Sequence, residues 1–340
     1  MSASILPGSF FFWPLHVVQA AGQNANLVLI VALVWGVLLA ILSGPMPRTQ
    51  WMNRVITGCD LASLMAVMAV DVVLMNQLSS MLQTFFYFDT PRAALLVPLL
   101  GVVGLGVLRS PQTVWRLTGL WMPVLFLSST VIGSLALVNV YHVRQLLPNS
   151  VIALHPLVRG LAMLAYLAIP LGMTLRRVLP RMAKHPGVRA RTVAVLGPWL
   201  FLAIFYLVVV GSLGPEAMTQ LRWPVVFALD HVTLDSTFFL SRIGMVVVFS
   251  WTVGVAIGLM VHLRLLLTVP PCSSLLPQRH WLILGILVLW GGLALAIPSP
   301  DQSSRLLLHW FNPAIGVYLI VELLGMLSLA YYTRHRRKPP

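Results

Sequence analysis

Apolar runs of roughly twenty residues, separated by short clusters of turn-forming and basic residues, recur along the whole chain. A helix needs about twenty mostly apolar residues to cross a bilayer. Against that length the pattern predicts membrane helices at 5–21, 25–44, 60–86, 93–108, 113–138, 152–175, 192–213, 237–266, 281–298 and 307–332. Residues 214–236 break the pattern. They mix Glu216, Arg222, Asp230, His231 and Asp235 with Trp223, Val225, Val226, Phe227 and Leu229, which predicts an interfacial or re-entrant piece rather than a span. The expected architecture is an all-α integral membrane bundle of about ten helices. A polytopic membrane domain covers 1–333, and 334–340 form a basic cytoplasmic tail.

Charge then orients the bundle. With the N-terminus placed on the cytoplasmic side, only Arg92, Arg144, Arg159, Arg222, Arg242 and Arg305 of the 22 lysines and arginines fall at or near the outer face. The rest lie in cytoplasmic loops and the tail, with a dense cluster from Arg176 to Arg191. Positive charge is retained on the inside, so both termini are expected to be cytoplasmic. The apolar stretch Ile5–Ala21 has neither a basic leader nor a small-residue cleavage signal followed by polar sequence, and it is read as part of the bundle.

Composition excludes other classes. Only 9% of the 340 residues are charged and 59% are hydrophobic, too little charge to keep a water-soluble surface wet. The net charge of +14 is dispersed between apolar runs, which argues against a nucleic-acid groove. Cys59 and Cys272 both fall near the cytoplasmic face, where no disulfide is expected, and no Cys–His spacing matches a metal site. Nothing resembles a phosphate loop, a catalytic triad or an intramembrane protease motif, so neither an enzyme nor a cofactor is expected.

Ionisable residues within a span are costly, which makes each a functional candidate. Asp71 lies mid-span in MAVDVVLMNQ, with Asn76 about a turn and a half further on, and Glu322 lies mid-span in YLIVELLG. Both are candidates for binding or proton-linked roles, and both also fit interhelical hydrogen bonding or subunit contact. Arg159, near the end of its span, fits a snorkelling side chain.

Helix-breaking residues single out two further places. The first span contains Pro7, Gly8, Ser9 and Pro14, and the sixth contains Tyr166 through Pro170 and Gly172. Broken helices are tolerated in membranes where they line a cavity or are covered by protein. Two breaks five spans apart are the trace expected of an inverted-repeat transporter, although Pro and Gly are also simply frequent in membrane helices. Gly254 and Gly258, with Gly101, Gly104 and Gly106, read as close-packing positions. His16 and His309 read as packing histidines, and Trp51, Trp115 and Trp281 as interfacial anchors.

Several stretches, in order, carry a family likeness. PGSFFFWPLHVVQAAGQNANL (7–27) is similar to a broken first helix and the turn into the second. FDTPRAAL (88–95), SPQTVWRLTGLWMPV (110–124) and LLPNS (146–150) follow at matching places. LGPEAMTQLRWPVVFALDHV (213–232) and FLSRIGMVVVFSWTVG (239–254) are the most distinctive. Taken together the chain resembles the endospore germination permeases, the B subunits of GerA-type nutrient germinant receptors, within the amino acid–polyamine–organocation transporter superfamily.

The resemblance implies a LeuT-type inverted-repeat bundle with a ligand pocket between the first and sixth helices. It also implies an amino acid or similar nutrient as ligand, the inner spore membrane as location, and an A subunit and a lipoprotein C subunit as partners. Carried over by position, the pocket residues are Gly8, Ser9, Phe10, Asp71, Tyr166 and Pro170. An amino-acid transporter of the same superfamily is the alternative. Two departures stand out. Only seven residues precede Gly8, about 10 Å of helix where the family has a further half-helix, so either the first helix is incomplete or the start is assigned late. Ser241 and Gly244 also occupy positions where the family tends to carry acids.

Overall fold

The computed structural model describes residues 13–42, 50–137, 154–161, 188–230, 243–269 and 279–311. Among them the regular structure is helical throughout, with no strand. The helices are α1 (Trp13–Ala21), α2 (Ala25–Leu42), α3 (Gln50–Phe85), α4 (Arg92–Leu108), α5 (Pro111–Leu137), α6 (154–161), α7 (Val188–Leu213), α8 (Pro215–Gln220), α9 (Pro224–Asp230), α10 (Ile243–Leu266), α11 (Arg279–Ala296) and α12 (Pro300–Leu306). A π-helical turn, Leu307–Phe311, continues α12.

The centre is α3. Its 36 residues extend about 54 Å, well beyond the hydrocarbon core of a bilayer. Every residue from Val70 to Met81 is buried, so this stretch is enclosed on all its faces. It packs against α4, α10, α11 and α12, while α2 packs on α7 and α5 on both α7 and α10. The apolar spans 60–85 and 248–266 are each long enough to cross a membrane.

The outward surface is apolar, as lipid requires. Ile30, Val34 and Leu38 recur every four residues on α2 and are exposed, as are Val97 and Leu105 on α4 and Leu284 and Val288 on α11. Contiguous apolar surface of this kind marks contact with a membrane. Trp281 is exposed near the start of α11, a position suited to an interfacial ring.

Glycines set the closest helix approaches. A β-carbon at Gly104 would lie 2.8 Å from Leu287, one at Gly291 2.8 Å from Leu100, and one at Gly106 2.5 Å from the Met260 sulfur. These draw α4 against α11 and α10. Gly101 faces open space, so the close-packing expectation holds at Gly104 and Gly106 and not there.

Two elbows punctuate the bundle. Between α1 and α2 the chain turns by 105° through Gly22–Asn24, with Gly22 at φ +57° where a side chain would be strained. Between α11 and α12 it turns by 111° across Ile297–Pro298–Ser299. Pro298 cannot donate to the α11 ladder, Ser299 accepts from the Gln302 amide, and Pro300 opens the next helix.

Element boundaries follow the hydropathy closely where hydropathy governs them. Spans predicted at 93–108, 113–138 and 192–213 are α4, α5 and α7, each within a few residues. Gln50 to Cys59 extend α3 ahead of its predicted start, because helix propensity continues past the apolar part. The segment after 213 forms two short helices: Gly214 at φ +78° ends α7, and Pro215 starts α8.

Candidate functional site

Polar side chains are buried at two adjacent levels of α3. At the first, the imidazole of His262 on α10 donates through Nδ1 to the Asp71 carboxylate, 3.0 Å from both oxygens. Asp71 is 2% exposed and His262 5%, so this hydrogen-bonded pair is removed from water. A carboxylate can only accept, which places the hydrogen on Nδ1 and fixes the ring's orientation. His262 Nε2 is also buried and finds no hydrogen-bond partner among the described residues. Removing a carboxylate from water is costly unless its hydrogen bonds are good, and the approach of the imidazole to both oxygens offsets part of that cost.

About 8 Å further along the helix, Asn76 and Gln77 form the second level. Asn76 Nδ2 donates to the carbonyls of Ala294 and Ile297, each at 2.9 Å. These carbonyls terminate α11 at its elbow. In an unbroken helix Ala294 O would accept from residue 298, which is proline, so Asn76 replaces the missing donor. Arg92, from the start of α4, adds a bond to Ile297 O at 3.1 Å.

Gln77 connects the elbow to the first helix. Its Nε2 lies 3.0 Å from Ser304 Oγ on α12 and 3.4 Å from His16 Nε2 on α1. His16 Nδ1 in turn meets Gln19 Oε1 at 3.1 Å. His16 is thus a satisfied buried histidine, as the sequence reading expects.

The first helix lies beside the start of the sixth segment. A β-carbon at Gly160 would fall 2.6 Å from Val28 and 2.9 Å from Ala21, so the α1–α2 elbow rests directly on α6. The remaining sequence-predicted site residues, Gly8, Ser9, Phe10, Tyr166, Pro170 and Glu322, lie outside the described residues. Only Asp71 of that set is described. Its partner His262 escapes a sequence reading because it stands two residues before Arg264, near the end of an apolar run. Gln77 carries no charge to attract notice, and Pro298–Ser299–Pro300 reads as an ordinary interhelical loop.

The short α8 packs on α1, and Arg222 beyond it pairs with Asp301 on α12 at 2.8 Å. The groups gathered here are side-chain amides, a carboxylate–imidazole hydrogen bond and helix-end carbonyls capped by Asn76 and Arg92. Among the described residues no group of three or more His, Cys, Asp or Glu is gathered to hold a metal ion.

Comparison with known families decides the class. The family described as spore germination protein matches residues 6–289. The chain belongs to the spore germination protein family. Within this germination protein the match includes α1 and both polar levels of α3, together with His262, and it stops ahead of the α11–α12 elbow. The family and the apolar helices together make it an all-α membrane permease in fold. The family is a permease-like germination family rather than an enzyme class. No curated protein matches the chain.

Proposed function

We propose that this germination protein is the B subunit of a nutrient germinant receptor, binding a small nutrient, an amino acid by preference, within the bundle. The observation that carries the reading is the buried polar level at Gln77, where α1, α3 and α12 meet through side-chain hydrogen bonds beside a broken helix. Buried polar groups at helix breaks are where permease-like folds hold ligands. Gly8, Ser9, Phe10, Asp71, Tyr166 and Pro170 remain the proposed pocket residues, and the contact of α6 with the α1–α2 elbow supports a pocket between the first and sixth segments.

Nutrient binding favours one of two packings of the bundle, and the shift is limited by the difference in affinity between them. An A subunit and a lipoprotein C subunit receive the change through lateral contacts in the inner spore membrane, with both termini of this chain cytoplasmic. The test is germination of spores lacking the gene, scanned against single amino acids and sugars. Loss of response to one nutrient with unchanged uptake by vegetative cells is the expected result. Normal germination with reduced uptake overturns it.

That second result would support an amino-acid transporter of the same superfamily. The buried Asp71–His262 pair favours this second reading, because ionisable pairs inside membranes recur on proton and ion pathways. Glu322 would be a further proton-linked group on this reading.

A further inference from the structure

The exposed faces of α4 and α5 are apolar stripes, and both end in arginine at the turn the two helices share. On α4, Val97 and Leu105 are exposed, and Arg109 follows one turn after Leu105. On α5, Arg116 stands one turn ahead of the exposed Leu120, and Leu127 continues the same face two turns further on. Both arginines are exposed, and neither side chain has an ion-pair or hydrogen-bond partner among the described residues.

Only Arg109 and Ser110 separate the two helices, and the turn is held in place. Arg109 is extended, at φ −69° and ψ −177°, and the Thr113 amide donates to Ser110 O at 3.0 Å. Arg264, in the last turn of α10, donates to the carbonyl of Arg109 and so brings a third positive charge to the turn.

Helix packing gives the depth of this turn. Gly104 meets Leu287 and Leu100 meets Gly291, so α4 and α11 run antiparallel. Five residues on from Gly104 and five back from Leu287, Arg109 comes level with Leu282 and its exposed neighbour Trp281. An exposed indole at the end of a membrane helix marks the headgroup zone. Arg116 starts about 7.5 Å deeper, five residues inside α5. Its β-carbon leans toward the helix start, and its long stem carries the guanidinium back along the stripe toward the turn.

A guanidinium at headgroup depth matches a phosphate, whose oxygens accept its fork of N–H donors. Two such groups on one turn, with Arg264 beside them, favour a headgroup of net negative charge. A zwitterionic headgroup would bring its own cation against them.

We propose that Arg109 and Arg116 form a binding site for the phosphate of an anionic phospholipid, whose acyl chains lie along the apolar stripes of α4 and α5. The stripes decide for lipid over a soluble anion, because the surface that continues the site is hydrocarbon-facing. The site stands apart from the polar levels of α3 and does not depend on the nutrient-binding reading.

The probe is phosphatidylglycerol, titrated into the purified full chain in a neutral detergent, with phosphatidylcholine of the same acyl chains as control. A ligand that binds the folded state raises the unfolding midpoint saturably, so thermal unfolding is the readout. A saturable rise with phosphatidylglycerol, and a clearly smaller one with phosphatidylcholine, is expected. Arg109→Gln with Arg116→Gln weakens the phosphatidylglycerol effect by about tenfold or more, from roughly fivefold for each arginine near an anionic surface. Arg305→Gln, an exposed arginine on α12, removes one charge elsewhere and leaves the effect unchanged. Should the paired variant fail to fold, each single variant carries the test with an expected loss of about fivefold. Equal stabilisation by the two lipids, or parent-like affinity in the glutamine variants, overturns the proposal. Saturable stabilisation by inorganic phosphate without lipid, lost in the same variants, also overturns it and assigns the turn to a soluble anion.

Discussion

Asn76 on α3 holds the carbonyl of Ala294, the acceptor orphaned by Pro298 four residues on, with Nδ2 at 2.9 Å. A residue more than two hundred positions away thus completes the end of a broken helix, with a second bond to Ile297 O. Asn76→Ala removes both bonds and is expected to cost about 1–2 kcal/mol, the range for interhelical hydrogen bonds in membranes. With Pro298→Ala in the background, residue 298 regains an amide able to close on Ala294 O, so the same change costs less. A double-mutant cycle read by thermal unfolding in detergent checks this. Equal losses in both backgrounds would sink the capping argument.

The Asp71–His262 pair makes a sharper demand. His262→Ala leaves a buried carboxylate with no partner, and the expected loss is about 3–5 kcal/mol. Asp71→Leu combined with His262→Ala removes the buried carboxylate along with its partner and recovers most of that loss. The measure is the unfolding midpoint of the four proteins in the same detergent. Recovery is the diagnostic result: a double variant as weak as His262→Ala alone would mean that the imidazole is needed for packing rather than for charge.

Glycine positions are ranked by what a methyl group would meet. At Gly285 nothing lies within 4 Å, so Gly285→Ala gains about 0.5–1 kcal/mol from reduced backbone freedom. At Gly106 the obstacle is the end of the Met260 side chain, which is flexible and can move aside. At Gly160 it is Val28 and Ala21, short side chains on the α1–α2 elbow with no room to yield. Gly160→Ala is expected to cost about 1–3 kcal/mol. Thermal unfolding should place Gly285→Ala highest, then Gly106→Ala, then Gly160→Ala, and a reversed order of the last two would contradict the packing described.

How far these features are legible in the sequence depends on which force makes them. Hydropathy locates α4, α5, α7 and α11 to within a few residues, because burial in lipid is an additive property of a run. The cost of a charge in a span singles out Asp71 for the same reason. Pairing is not additive along the chain, and so neither His262 nor the contact of Gln77 with Ser304 can be read from spacing. The elbow at Pro298 shows the limit from another side. Pro–Ser–Pro marks the end of a helix, but only the fold reveals that Asn76 and Arg92 cover the carbonyls it releases.

Arg222 and Asp301 tie the segment after α8 to α12 at 2.8 Å, yet both side chains are more than half exposed. A pair so placed is screened by solvent and contributes at most about 1 kcal/mol. Arg222→Ala should therefore lower the unfolding midpoint slightly at low salt. In roughly 1 M salt the screening length falls to about 3 Å, and the difference from the parent should vanish. Exchanging the charges, Arg222→Asp with Asp301→Arg, should restore most of the low-salt stability, since attraction between the two sites survives the exchange. An Arg222→Ala loss that is independent of salt would show that the arginine acts through its alkyl packing, and the tie between these two segments would then be apolar rather than ionic.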